Sequence, residues 1–177
     1  LTLDKLRNLV AGDEYRLPRF DKARDDRAAP QTWPAITAPV DLVILEGWCV
    51  GSSAQSEAAL THPVNDLERV EDASGEWRRY VNEQLAGGYA AVFAQLDLLI
   101  FLQVPSFDAV YRWRLEQERK LAVKSTGAGI MNEAQVAAFI QHFERITRAN
   151  LISLPDIANV TLLLDEGHNC VLSSFRS

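Results

Sequence analysis

Cysteine is scarce in this chain of 177 residues. The two present, Cys49 and Cys170, lie far apart and show no metal-ligand spacing. Cys49 follows an apolar run and reads as a packed thiol. Positive charge is in deficit: 18 Lys and Arg against 24 Asp and Glu give a net charge of −6, which argues against broad nucleic-acid binding. No stretch approaches the ~20 consecutive apolar residues of a membrane helix, and no secretory signal is read at the start. A cytoplasmic protein with neither membrane nor nucleic-acid partners is the expectation. His62, His142 and His168 form no triad or metal cluster, and no Gly-x-Ser-x-Gly element is present, so hydrolase and metalloenzyme readings have little support. Also missing is a glycine-rich phosphate loop of the form Gly-x-x-x-x-Gly-Lys-Ser/Thr. Lys124-Ser125-Thr126 is a decoy: Val123 precedes it, it follows a helical stretch, and its glycines, Gly127 and Gly129, come too late to wrap a phosphate.

What the chain does have is ordinary globular stuff, 47% hydrophobic and 24% charged, with length for one domain and a substantial core. Its most informative stretch is Val40-Asp41-Leu42-Val43-Ile44-Leu45-Glu46-Gly47-Trp48. A short apolar run suits a strand buried on both faces of a parallel sheet. Glu46 would then emerge at the carboxyl end, where open α/β sheets bind ligands. In nucleotide-binding folds this is the acidic strand that faces magnesium and phosphates. Gly47 lets the backbone turn close to the ligand.

Residues 2–10 read as the end of a helix closed by Gly12, and a chain that opens inside an amphipathic helix suggests a segment upstream of Leu1. Residues 13–39 are punctuated by prolines and read as a long loop. A strand over 40–46 is followed by an irregular region with a turn at Asp72-Ala73-Ser74-Gly75. A helix over about 76–95 is expected to bury Trp77, Val81, Leu85, Tyr89, Val92 and Phe93, with Gly87-Gly88 weakening its middle. A second apolar strand covers 97–104. Ser106 then caps a helix through about Val123, and Asn132 caps another through about Leu151, with Val136, Phe139, Ile140, Phe143 and Ile146 on one face. A third strand, 159–164, ends in Asp165. Apolar strands alternating with helices predict an α/β fold with a parallel sheet.

Two charged constellations stand out. Arg16-Leu17-Pro18-Arg19-Phe20-Asp21-Lys22-Ala23-Arg24-Asp25-Asp26-Arg27 packs five cations and three acids into twelve residues. Guanidinium groups hold carboxylates and phosphates in bidentate geometry. On the helix after the second strand lie Arg112, Arg114, Arg119, Lys120 and Lys124, with Glu116 and Glu118 among them. Joined to the glycine-bearing turn at 125–129, this basic helix suits a lid that closes over phosphates.

Taken together, the segment from Arg16 to Arg27, Leu45-Glu46-Gly47-Trp48-Cys49-Val50-Gly51, Trp77-Arg78-Arg79-Tyr80-Val81-Asn82 and Trp113-Arg114-Leu115-Glu116-Gln117-Glu118 resemble the D-glycerate 3-kinase family. This family belongs to the phosphoribulokinase and uridine kinase group of P-loop kinases. The resemblance covers nearly the whole chain, in order. It implies a three-layer P-loop kinase-type fold and an ATP- and Mg²⁺-dependent phosphoryl transfer to a hydroxyl of a small acid, D-glycerate first. Glu46 would hold the magnesium and is the catalytic candidate. Arg19, Phe20, Asp21, Lys22 and Arg27 become acceptor-site candidates, Arg112, Arg114 and Arg119 nucleotide-binding ones, and 112–132 a lid. The departure is that the family's first two strands and its phosphate loop have no counterpart from residue 1 onward. The chain therefore reads as the carboxyl-terminal part of a single kinase domain over 1–177, incomplete for catalysis alone. In the group's strand order, strand one separates 40–46 from 97–104, while 97–104 and 159–164 pair directly and in parallel. Alternatives are a kinase of the same group acting on a nucleoside or pantothenate, and a non-catalytic binding module.

Overall fold

The computed structural model describes residues 11–21, 26–124 and 130–176. The helix expected over 2–10, and Lys22, lie outside the described residues. The chain divides into two compact units, 1–47 and 48–177. In the first, the region 13–39 is not one long loop. It holds two short antiparallel ladders, β1 (Glu14–Arg16) with β4 (Ala35–Thr37) and β2 (Phe20–Asp21) with β3 (Asp26–Arg27). The prolines that suggested a loop lie outside the strands, Pro18, Pro30 and Pro34 between them and Pro39 after β4, where a missing N–H costs no ladder bond. Trp33 closes the second hairpin by donating its indole N–H to the Ala28 carbonyl at 2.8 Å.

Residues 40–46 do not form the expected strand. Leu42 and Ile44 are 75% and 80% exposed, and Glu46 is exposed rather than set at the end of a buried strand. Composition can favour an extended apolar run, but a strand exists only through ladder bonds to a neighbour. None of these residues has one among those described.

The second unit carries a three-stranded sheet ordered β5 (Ile100–Gln103), β6 (Val160–Leu164), β7 (Cys170–Phe175). β5 and β6 pair in parallel, Ile100 opposite Val160, as the sequence leads one to expect. β7 returns antiparallel to β6, a strand the sequence reading did not contain. The connection between β5 and β6 runs through α5 (Phe107–Lys124) and α6 (Glu133–Ile157). Ser106 does cap α5, its hydroxyl accepting the N–H of Ala109 at 3.2 Å. Asn132 opens α6 with a reciprocal capping box to Gln135. α6 runs six residues beyond Leu151 despite Pro155 in its last turn, which lacks an N–H for the Leu151 carbonyl, and Leu154 within that extension is buried. Phe107, Val110 and Leu115 of α5 meet Val136 and Ile140 of α6 in the main core, each worth about 1.5–3 kcal/mol on burial.

Residues 49–75, expected as irregular, contain two short helices, α1 (Glu57–Leu60) and α2 (Asp66–Glu71). The helix over 76–95 is broken into α3 (Glu76–Gln84), a wider π-helical turn (Leu85–Tyr89) and α4 (Ala90–Phe93). Gly87 and Gly88 lie inside that turn, as their low helix propensity suggests. Its expected burial holds at Leu85 and in part at Val92 and Phe93, but fails at Trp77, which is 67% exposed, and at Val81 and Tyr89, which are exposed too, while Arg78 is buried. The apolar stripe misleads because the inward face is satisfied by polar bonds. Arg78 donates to the carbonyls of Leu60 and Asp72 at 2.7 and 2.8 Å. Asn82 closes both backbone groups of Gln55, at 2.6 and 3.0 Å.

Candidate functional site

A cleft of about 460 Å³ opens at the carboxyl ends of the two parallel strands of the second unit. Its lining draws on Val104, just after β5, on one face of α5, on Trp48 and on His168 from the β6–β7 turn. The α5 face is set by spacing: Val110, Trp113, Arg114, Gln117 and Lys120 recur at three and four residues, one side of a helix. In open α/β sheets this is where ligands bind.

Each wall is fastened. Trp48 stacks on Phe143 of α6, ring centroids 4.7 Å apart, and donates its indole N–H to Thr147 Oγ1 at 3.1 Å. Trp113 stacks on His168 at 4.2 Å and donates its indole N–H to the Glu166 carbonyl at 3.0 Å. His168 holds a left-handed backbone, φ +66°, an uncommon state for a side chain with a Cβ. The Asp165 carboxylate stabilises that turn, accepting the N–H groups of Gly167 and Asn169, both at 2.8 Å. The bonds from Asn169 hold the Asp165 carboxyl below the usual carboxylate range.

The charges in the cleft are paired. Lys120 lies 2.5 Å from Glu116, and His168 Nε2 lies 3.6 Å from the same carboxylate. Lys120 first, then His168, lowers the Glu116 pKa. Arg114 pairs with Glu118 at 2.5 Å and donates to Gln117. Of the three basic candidates, only Arg114 lines the cleft. Arg112 is bound to Glu166, and Arg119 reaches Glu133 at 2.8 Å. In the first unit, Phe20 and Arg27 stand as a cross-strand pair, and Asp21 faces Asp26. Arg19 is exposed, and its carbonyl accepts the N–H of Ala28 at 2.7 Å. Trp48 and His168 were not among the site candidates, and Lys120 and Glu116 entered only as members of the charged lid helix. The Glu116–Lys120 spacing and the aromatic after Gly47 were the available signals; His168 had none, because a hairpin turn brings it to α5.

No family model matches the chain. It is 28% identical to a chloroplastic D-glycerate 3-kinase of Arabidopsis thaliana over 86% of this chain and 32% of that protein. It is 30% identical to a probable ATP-dependent kinase, TDA10, of Saccharomyces cerevisiae, over 93% of this chain and 57% of the relative. It thus spans from about a third to somewhat over half of these curated relatives. Superposed on a D-glycerate 3-kinase structure from Cryptococcus neoformans it gives a TM-score of 0.69, with 21% identity, over 92% of this chain and 60% of that one. The YGR205w protein structure gives 0.66 at 24% identity, over 98% and 62%. This is the P-loop kinase-type α/β fold, and the chain's relatives are D-glycerate 3-kinase and kin named as kinases.

Against those kinases, the quoted sequence segments divide by task. Trp48 and the Trp113–Glu118 stretch build the cleft. The Trp77–Asn82 stretch instead holds the α1–α2 region in place through Arg78 and Asn82. The cleft lining would offer a nucleotide aromatic faces for a flat ring and two cations, Arg114 and Lys120, for phosphates. For magnesium, the described residues contain no cluster of three His, Cys, Asp or Glu. Among the described residues, no helix is long and apolar enough to cross a membrane.

Proposed function

We propose that this chain forms the lid-bearing and acceptor-binding part of an ATP-dependent small-molecule kinase whose acceptor is D-glycerate. The observation that carries the reading is an aromatic cleft, with Arg114 and Lys120 in its lining, at the carboxyl ends of parallel strands, in a chain whose relatives are named as kinases. ATP would supply the γ-phosphoryl group, and Mg²⁺ would neutralise its charge. Arg114 and Lys120 are the cleft's phosphate contacts, with Arg112 and Arg119, in the proposed lid region 112–132, able to exchange their exposed acid partners for a phosphate. Trp48 and Trp113 offer flat faces to the ring. Arg19, Phe20, Asp21, Lys22 and Arg27 are the acceptor site, cationic enough for an anionic hydroxy acid. Glu46 is the magnesium and catalytic candidate, exposed and so available to an ion. A cytoplasmic setting fits the same reading.

The test is a coupled ADP-release assay on the full-length product of the gene, with D-glycerate, pantothenate and uridine as acceptors. Turnover with D-glycerate at least tenfold above the other two, about 1.4 kcal/mol of discrimination, supports the proposal. A preference for uridine or pantothenate would replace the substrate, and no turnover with any acceptor would remove the kinase.

A further inference from the structure

Two ion pairs with the same spacing lie on α5, and they differ in kind. Glu116 and Lys120 are both well exposed, free to rearrange. Glu118 and Arg114 are not: the Glu118 side chain is 3% exposed and that of Arg114 23%. A carboxylate removed from water must be fully partnered, or the loss is several kcal/mol. Glu118 meets this demand twice. One oxygen lies 2.5 Å from Arg114 Nη2, and the other accepts the N–H of Met131 at 2.9 Å. Met131 leads into α6, so one buried side chain ties the middle of α5 to the approach to the next helix.

The consequence falls on Arg114. Its guanidinium is gripped by Glu118 and Gln117 and lies over the Phe139 ring, 5.4 Å from the centroid. It is the one arginine of α5 that lines the cleft, and the one whose acid partner is buried. Arg112 and Arg119 have exposed partners. A cation fixed before the ligand arrives costs less ordering on binding than one that must be recruited.

We propose that Glu118 is a positioning residue: it pre-sets Arg114 as the fixed phosphate contact of the cleft, while Lys120 adjusts. This rests on the kinase reading above. Glu118→Gln keeps the volume, but its amide places N–H donors against either Arg114 or Met131, so one contact is lost. In the full-length protein, Glu118→Gln is expected to raise KM for ATP about tenfold, with smaller changes in kcat and in KM for D-glycerate. The double variant with Arg114→Ala should be no worse in KM for ATP than Arg114→Ala alone. A Glu118→Gln effect undiminished in the Arg114→Ala background overturns the proposal. So does an unmoved KM for ATP with a fallen urea midpoint, which marks a purely structural carboxylate. If no acceptor is phosphorylated, the kinase reading falls separately, and ATP binding followed by tryptophan fluorescence decides the role of Glu118. A loss of affinity shared by Glu118→Gln and Arg114→Ala sustains it, and unchanged affinity in either overturns it.

Discussion

The guanidinium of Arg78 lies 3.3 Å from the carboxylate of Asp72, with both side chains buried. The same carboxylate accepts the N–H groups of Trp77 and Arg78, at 2.9 and 3.1 Å, at the start of α3. It therefore caps a helix and neutralises an arginine at once. Removing one partner leaves the other buried and unpaired, which typically costs about 3–5 kcal/mol. Arg78→Met should lower the unfolding free energy measured by urea titration by that amount, with little change in KM for either substrate. A loss under about 1 kcal/mol would show that the pair is more hydrated than its burial indicates.

The β6–β7 turn should be sensitive to acid. Asp165 has its pKa lowered, chiefly by the backbone N–H and side-chain amide of Asn169. A carboxyl depressed in the folded state contributes stability that is fully present above its unfolded pKa. That contribution is lost as pH falls through the folded value. Carboxyl-carbon NMR should therefore find Asp165 titrating below the ordinary carboxylate range. Asp165→Asn should remove part of the protein's acid sensitivity, and identical acid profiles for the two proteins would contradict the assignment.

Phe20 and Arg27 share a cross-strand position, so the hairpin presents a ring and a guanidinium side by side. Arg27→Lys keeps the charge and loses the fork. Its expected effect is a rise of about tenfold in KM for the acid acceptor and a much smaller one for ATP. Equal changes for both substrates would mark Arg27 as structural.

Glu46 is exposed and outside any strand, so little of the fold rests on it. Glu46→Gln should shift stability by no more than about 0.5 kcal/mol. It should lower turnover most at limiting magnesium, if the carboxylate helps hold the ion. Turnover unchanged at limiting magnesium would remove Glu46 from the metal site.

How far the sequence reached depended on whether the signal was local. The Ser106 and Asn132 caps are local, and both helices begin where they were expected. Two apolar runs separated by helices gave parallel strands, and the direct β5–β6 pairing followed from the strand order of the group the sequence resembles. Residues 40–46 have the same composition, yet pairing is a property of two segments and one string of residues does not name the second. Arg78 was invisible for a related reason. Its burial depends on carbonyls of Leu60 and Asp72 that the α1–α2 turns turn inward, and hydrophobic spacing put Trp77 there instead. The cleft was half legible: α5 carries its cations in an i, i+4 pattern, but His168 reaches them only through the β6–β7 hairpin.

The polar face of α6 bears on the order in which the second unit assembles. Arg145 grips Glu68 through two bonds, at 2.7 and 2.6 Å, across 77 residues of chain, and also the carbonyls of Ala59 and His62. Asn150 holds Ser52 across 98. The α1–α2 region thus takes its shape from a helix synthesised long after it, and closing loops of that size is slow. In refolding followed by pulsed amide exchange, α6 should gain protection first and residues 52–68 late. On the ribosome, the same region should stay open to protease until α6 has emerged.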